Sequence, residues 1–271
     1  MAGTPKLEAD RALANALVGV VRAAGERIVA CRAAGFSVET KSDDSPVTIA
    51  DREAEAILLA ALRDLAPGIP VIAEEEVAAG RVPATKGDFF LVDPLDGTKD
   101  FIRGGDDFTV NVGLVREGMP VLGVVGAPAT GQIWTGVDGE GAFAIDASGK
   151  RRPIKVRAAH TGPFDIIASR SHRTAETDEF IARFPGARIV AAGSSLKFCV
   201  VAEGGADLYP RLGPTSQWDT AAGDAVLRAA GGRVLTLDGK PLGYGVREGT
   251  GARAFLNPWF VAAGGVDPLP G

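Results

Sequence analysis

Acidic residues placed at the ends of apolar runs are the feature of this chain most able to do chemistry. Asp93 and Asp96 stand in Asp93-Pro94-Leu95-Asp96-Gly97-Thr98, directly after the apolar run Phe89-Phe90-Leu91-Val92. The pattern predicts a buried strand that delivers charge to its own end. A tight turn stiffened by Pro94 would let both carboxylates converge on one point. Gly97 and Thr98 would then offer backbone N–H groups beside it, with no side chain on Gly97 to block an anion. Carboxylates facing a divalent ion, with amides alongside for a phosphate, make a metal-assisted phosphate site. The same residues also suit a solvated Asx turn, so the stretch alone leaves both readings open.

Two further acids extend the pattern. Pro70-Val71-Ile72-Ala73 reads as a short strand running into Glu74-Glu75-Glu76. A charge run is ordinarily an exposed loop, but Glu74, the first residue off the strand, is placed to share a centre with Asp93 and Asp96. Trp218-Asp219-Thr220-Ala221-Ala222-Gly223 is expected to start a helix with an acid in its first turn. Asp219 there suits the helix dipole, and it completes the carboxylate cluster if two lobes close on each other. Asp51, three residues after Thr48, reads as the far half of a capping box. Held in that way, it also suits a group that orients water.

Candidate cations gather in the second half of the chain. Gly193-Ser194-Ser195-Leu196-Lys197 opens a predicted helix with a glycine, two hydroxyls and a lysine, an arrangement suited to an anion. Ser169-Arg170-Ser171-His172 and Tyr209-Pro210-Arg211 each follow a predicted strand. Any one of these is ordinarily a cap or a solvated loop. Together they suggest a second anionic group on the ligand.

The elements that must position these residues follow from periodicity. Residues 7–33 form an amphipathic helix with Leu13, Leu17, Val20, Val21, Ala24 and Ile28 on one face, closed by Gly35. A second helix runs from Thr48 to Pro67-Gly68. From Phe108, β-rich runs separated by Gly turns predict an antiparallel meander. After residue 157, strands (164–168, 189–190, 207–209, 234–236, 254–256) alternate with helices (175–183, 194–203, 218–230), the pattern of an α/β unit. The expected organisation is therefore an N-terminal α+β lobe, residues 1–157, carrying most of the acids. A C-terminal α/β lobe, 158–271, would carry the cations and Asp219, with the site between the two.

Composition excludes some classes. The chain has 271 residues, 46% of them hydrophobic and 23% charged, as in ordinary globular proteins. The net charge is −5 and no basic stripe occurs, which argues against nucleic-acid polymers as partners. Cys31 and Cys199 fall in apolar helical patterns and read as buried free thiols, too few for a zinc cluster. The N-terminus lacks the pattern of a signal peptide, and no apolar run is long enough for an integral membrane segment, so a cytoplasmic protein is expected.

Taken together and in order, Glu74-Glu75, Asp93-Pro94-Leu95-Asp96-Gly97-Thr98 and Trp218-Asp219-Thr220-Ala221-Ala222-Gly223 resemble the lithium-sensitive, magnesium-dependent phosphomonoesterases of the inositol monophosphatase superfamily. Within it, Gly97-Thr98-Lys99-Asp100-Phe101-Ile102, Gly193 to Cys199 and Leu208-Tyr209-Pro210-Arg211 resemble the bacterial 3′(2′),5′-bisphosphate nucleotidases. The chain departs from them at Asp100, where Glu is usual, and in the acidic loop Gly104-Gly105-Asp106-Asp107.

The resemblance implies a layered αβαβα sandwich and a cofactor of two or three Mg²⁺ ions. It implies Glu74, Asp93, Asp96, Asp219 and the Leu95 carbonyl as metal ligands. Asp51, Thr98 and Glu74 would activate water, and Gly97 and Thr98 would hold the scissile phosphate. Lys197, Arg211, His172 and Ser195 would contact the rest of a nucleotide bisphosphate, and Leu95, Asp96, Glu74 and Asp219 would border it. The implied reaction is hydrolysis of 3′-phosphoadenosine 5′-phosphate, and of its 5′-phosphosulfate relative, in sulfur metabolism. An inositol or sugar phosphatase is the nearest alternative, and a non-catalytic nucleotide sensor a more distant one. Peripheral attachment to the cytoplasmic face of a membrane is compatible with the resemblance, and monomer and homodimer both remain open.

Overall fold

The structure is a computed structural model and describes residues 5–40, 45–85, 87–168 and 174–269. Helix α1 (Pro5–Ala34) buries Ala14, Leu17, Val21, Ala24, Ile28 and Cys31, alternate steps of three and four residues that keep one stripe inward. Strands β1 (Val38–Thr40) and β2 (Pro46–Thr48) form a small antiparallel pair leading into α2 (Ile49–Leu65). Thr48 caps α2, and its capping-box partner is Asp51, as the spacing predicts. Strand β3 (Val71–Ala73) is followed at once by a short helix α3 (Glu74–Ala78). The three glutamates are thus the first turn of a helix rather than a loop, where acidic side chains suit the helix dipole.

Strand β4 (Phe89–Asp96), helix α4 (Thr98–Ile102) and strands β5 (Thr109–Arg116), β6 (Met119–Ala127), β7 (Gln132–Val137), β8 (Gly141–Ile145) and β9 (Arg151–Ile154) complete the first half. Strands β3 to β9 form one seven-stranded sheet in sequence order, parallel only between β3 and β4. The meander expected from Phe108 onward is its antiparallel part.

The second half holds β10 (Asp165–Ala168), α5 (Ala175–Ala182), β11 (Arg188–Ala191), α6 (Leu196–Ala202), β12 (Leu208–Arg211), α7 (Ala221–Ala229), β13 (Arg233–Thr236) and β14 (Phe260–Ala263). Their sheet has the order β11-β10-β12-β14-β13, with β14 antiparallel to both neighbours. One sequence expectation fails here, and one strand had no sequence expectation. Residues 254 and 255 belong to a 3₁₀ turn, Gly251–Phe255, rather than a strand, and Leu256 makes only an isolated bridge to Ser216. Phe260–Ala263, only four residues long, is an inner strand buried on both faces. The second sheet is therefore mixed, not simply alternating with helices.

The layers stack as α1 and α2, the first sheet, α6 and α7, the second sheet, then α5, an αβαβα sandwich as the family resemblance implies. A line of glycines sets the spacing at its centre. Gly113, Gly123 and Gly136 are cross-strand neighbours on β5, β6 and β7. A Cβ on Gly123 would lie 2.1 Å from the Ala222 carbonyl oxygen, and one on Gly136 2.5 Å from the Val226 Cα. Helix α7 therefore lies directly on the sheet backbone, which carries the preceding Asp219 turn to the end of β4. Both cysteines are buried and free. No described helix is long and apolar enough to cross a membrane.

Candidate active site

The stretch Asp93–Thr98 is not the tight turn expected from its composition. It is the bulged end of β4, whose register against β5 shifts between Asp93 and Asp96. A bulge re-aims side chains that simple alternation would send to opposite faces. Asp93 is 1% exposed and its Oδ1 accepts the Leu95 N–H at 3.0 Å. Gly97 then takes a left-handed backbone, φ 95°, where a Cβ would come 2.8 Å from the Asp107 carbonyl oxygen. Only glycine suits that position, and it starts α4 at Thr98.

Glu74, Asp93, Leu95, Asp96, Gly97, Thr98 and Asp219 line one cavity of 230 Å³. The four carboxylates named from the sequence thus meet, from α3, from β4 and from the turn before α7. Asp219 sits ahead of that helix rather than in its first turn, with its Oδ2 accepting the Ser216 N–H at 2.9 Å. Burial, then the charges of Glu74, Asp96 and Asp219, hold the Asp93 carboxyl well above the usual carboxylate range. Burial, then Asp96 and Glu74, does the same to Asp219. None of Asp93, Asp96 and Asp219 forms an ion pair among the described residues. Like charges gathered in this way need a cation to ionise together.

The donor set is all oxygen, with no His or Cys, which suits Mg²⁺. Among the described residues no three His, Cys, Asp or Glu side chains are arranged to hold one ion by themselves. That arrangement still fits Mg²⁺, which takes one or two carboxylates and keeps several waters.

Asp51 stands beside this cluster, 2% exposed. Its Oδ2 accepts the Thr48 N–H and hydroxyl, both at 2.7 Å, and its Oδ1 faces the Thr98 hydroxyl at 3.1 Å. The cap and the site are therefore one group: the helix start fixes one oxygen and offers the other to Thr98. Glu55, one turn further along α2, accepts the Glu75 N–H at 2.9 Å and so ties the start of α3 to the same helix.

A second cavity of 290 Å³ shares Asp96, Gly97 and Asp219 with the first and continues it. Its other walls include the cations Lys99, Arg103, Lys197 and Arg211, the acids Asp100 and Asp107, and Tyr209. Lys197 is 5% exposed; its Nζ donates to the Ser194 carbonyl at 2.5 Å and lies 5.4 Å from the Tyr209 ring centre. Burial lowers its pKa to about 8. Arg211 donates from Nη2 to the Pro214 carbonyl, while its Nε is buried with no partner among the described residues. Ser195, a sequence candidate, is 1% exposed and lines neither cavity; its hydroxyl is within hydrogen-bond distance of Asp96 and of the Asp219 carbonyl, while Ser194 lines the second cavity. His172, the remaining sequence candidate, lies outside the described residues. Lys99, on α4, and Arg103, the residue that caps its C-terminus, were not singled out by sequence; their cationic type within and just after the Gly97–Ile102 motif was the available signal. A larger cavity of 670 Å³ lies elsewhere, against α2 and α3, and contains none of the cluster carboxylates.

The sequence profile of the inositol monophosphatase family matches residues 9–264, spanning every element that builds this cleft. The chain belongs to the inositol monophosphatase family. Among relatives in that family, the 3′(2′),5′-bisphosphate nucleotidase CysQ of Escherichia coli K12 is 45% identical over 225 residues, 83% of this chain and 88% of that protein. The Shigella flexneri protein of the same name is 46% identical over the same length. The crystal structure of Bacteroides thetaiotaomicron CysQ superposes with a TM-score of 0.77 at 35% identity, covering 94% of this chain and 97% of that one. A Thermotoga maritima inositol monophosphatase structure gives 0.72 at 26% identity, covering 92% and 90%.

Proposed function

We propose that the protein is a Mg²⁺-dependent 3′(2′),5′-bisphosphate nucleotidase that hydrolyses 3′-phosphoadenosine 5′-phosphate to AMP and phosphate, with the 5′-phosphosulfate analogue as a second substrate. One observation carries the reading. The carboxylate cavity and the cation-lined cavity form one continuous cleft joined at Asp96, Gly97 and Asp219. Such a cleft suits a ligand with one phosphate at the carboxylates and a second anionic group among Lys197, Arg211 and their neighbours. Relatives 45–46% identical carry the nucleotidase name, which supports the same choice.

Glu74, Asp93, Asp96, Asp219 and the Leu95 carbonyl would hold the Mg²⁺ ions, two or three in number. When bound, they supply Lewis acidity, lowering the pKa of water and neutralising phosphate charge.

The chain's own residues supply orientation and a proton path. The Thr98 hydroxyl lies 3.1 Å from Asp51 Oδ1 and 3.0 Å from the Leu95 carbonyl, but has one proton to give. The carboxylate is the stronger acceptor, so Thr98 donates to Asp51. That leaves Thr98 Oγ as an acceptor for the attacking water and leaves the Leu95 carbonyl free for a cation. As water oxygen bonds to phosphorus and the bond from phosphorus to the ribose oxygen breaks, the water proton passes through Thr98 to Asp51, and the departing ribose oxygen takes a proton from solvent water to leave as a hydroxyl. Glu74, on α3 and lining the same cavity, is assigned to the same water. The N–H groups of Gly97 and Thr98, at the start of α4, hold the scissile phosphate. Lys197, Arg211 and His172 are assigned to the rest of the nucleotide, whereas the buried Ser195 hydroxyl bonds within the protein.

The test uses metal-free protein and 3′-phosphoadenosine 5′-phosphate. Phosphate is released only after Mg²⁺ is added, with AMP as the organic product. Turnover without a divalent ion, or adenosine 3′-phosphate as the product, contradicts the proposal.

A further inference from the structure

The carboxylates of the cleft are not held by their own strands alone. Thr109 and Asn111 stand on one face of β5, and both are fully buried. Thr109 Oγ1 lies 2.5 Å from Ser194 Oγ, which in turn donates to Asp96 Oδ2 at 2.8 Å. Asn111 Nδ2 donates to Ser195 Oγ at 3.0 Å. Ser195 Oγ lies 3.1 Å from Asp96 Oδ2 and 2.5 Å from the Asp219 main-chain oxygen. Two hydroxyl relays thus leave the first sheet, pass through the turn before α6, and return to the cleft.

Proton counting gives both relays a direction. An amide NH₂ can only donate, and a carboxylate can only accept. Ser195, accepting from Asn111, must turn its one proton toward Asp96 or the Asp219 carbonyl. Ser194 gives its proton to Asp96, so the Thr109 hydroxyl donates to Ser194. On Asp96 the Ser194 relay ends at Oδ2, the oxygen that Ser195 also approaches, and among the described residues nothing donates to Oδ1.

The serine turn itself is constrained. Ser194 adopts φ 51°, a left-handed backbone uncommon for a residue with a side chain. The Gly193 N–H donates to Asp107 Oδ2 at 2.8 Å, and a Cβ on Gly193 would come 2.6 Å from the Asp107 Cβ. Such a conformation persists when its surroundings over-determine it, and it recurs at functional sites. Asn111 adds an independent observation. Its Oδ1 is buried with no partner among the described residues. A buried amide with unmet bonding capacity is less stable than an apolar side chain of similar size, so stability does not account for an asparagine there. Its donor to Ser195 does.

We propose that Thr109 and Asn111 are positioning residues that, acting through Ser194 and Ser195, set Asp96 and the Asp219 turn for divalent-cation binding. The inference rests on the carboxylate cleft being the Mg²⁺ site. Partners that orient metal ligands in this way typically change metal affinity by about 10–100-fold when removed.

The test is calorimetric titration of metal-free protein with Mg²⁺ alone, alongside its thermal unfolding. Thr109→Val and Asn111→Leu each weaken Mg²⁺ binding by about tenfold or more, while metal-free Asn111→Leu melts at or above the wild-type temperature. Thr109→Ser, which keeps the hydroxyl, binds close to wild type; if Asn111→Leu folds poorly, the Thr109 pair decides. Affinity close to wild type in Thr109→Val and Asn111→Leu, with binding lost in Asp96→Asn, overturns the relays and leaves the cleft reading standing. Wild-type affinity in Asp96→Asn overturns both.

Discussion

The Thr98 hydroxyl stands 3.1 Å from Asp51 Oδ1, while the other oxygen of that carboxylate is held by the capping residue of the same helix. Structural and chemical duties therefore fall on different oxygens of one side chain and can be separated. Asp51→Asn is expected to lower kcat by about 10²–10⁴-fold, the usual contribution of acid–base catalysis. Its stability cost is expected to be only about 1 kcal/mol, that of a weakened cap. Thr98→Val, which leaves the cap intact, should show a comparable kcat loss with little change in melting temperature. Steady-state kinetics and thermal melts on the two variants check this; full activity in either contradicts the proton path.

The buried acids predict an unusual pH dependence for the metal-free protein. Burial lifts the Glu55 carboxyl from 4.5 to about 7 and Asp224 from 3.8 to about 6, and Asp93 and Asp219 are raised as well. Each group keeps, in the folded state, a proton that the unfolded chain releases at lower pH. Their contribution to stability is thus full below the unfolded values and declines as pH rises through the folded ones. Melting temperatures between pH 5 and pH 8 should fall less steeply in Glu55→Gln than in wild type. Saturating Mg²⁺ should oppose the decline, because its ligands must be deprotonated. A metal-induced rise in melting temperature that is larger at pH 5 than at pH 8 would be the wrong sign.

Lys197 and Arg211 should separate two classes of substrate. Lys197→Met and Arg211→Ala are expected to raise KM for 3′-phosphoadenosine 5′-phosphate by roughly tenfold or more, the scale of a lost charge-assisted hydrogen bond. KM for adenosine 3′-phosphate, which lacks the second phosphate, should change far less. With the Lys197 pKa at about 8, affinity for the bisphosphate should also weaken as pH passes that value. Equal losses on both substrates would remove the cationic cavity from the account of specificity.

The glycine line under α7 links packing to the site. Gly123→Ala forces a Cβ to within 2.1 Å of the Ala222 carbonyl oxygen, so the helix must move away from the sheet. Overpacking of this kind costs about 1–3 kcal/mol, and the shift carries the Asp219 turn with it. Stability and Mg²⁺ affinity should fall together in this variant, as read by melting and titration. A destabilised protein with unchanged Mg²⁺ affinity would show that α7 does not set Asp219.

Lithium offers a test that needs no mutation. The family resemblance leads us to expect Li⁺ to occupy a Mg²⁺ position and inhibit at millimolar concentration. Rates at fixed Mg²⁺ and increasing Li⁺ check this, and full activity throughout removes the point.

Much of this arrangement is legible in the sequence because charge placed at the end of an apolar run is a local signal. Glu74, Asp93 and Asp96 could each be picked out in that way, Asp219 by its place at a predicted helix start, and the Thr48–Asp51 cap follows from spacing alone. The bulge between Asp93 and Asp96 could not, because Pro, Gly and Asp favour turns and bulged strands alike. Strand β14 was hidden by its length, since four apolar residues do not separate a buried strand from a buried turn. Thr109 and Asn111 look like ordinary strand residues in Phe108-Thr109-Val110-Asn111. Their partners Ser194 and Ser195 lie 85 and 84 positions away along the chain, and only the folded layers bring them together.

The central claim is that one cleft takes a nucleotide carrying two phosphates and removes the 3′ one. The most direct measurement is kcat/KM for phosphate release with Mg²⁺ across 3′-phosphoadenosine 5′-phosphate, inositol 1-phosphate and fructose 1,6-bisphosphate. We expect the nucleotide to exceed the other two by a large factor. A higher kcat/KM for inositol 1-phosphate or the sugar bisphosphate would contradict the account.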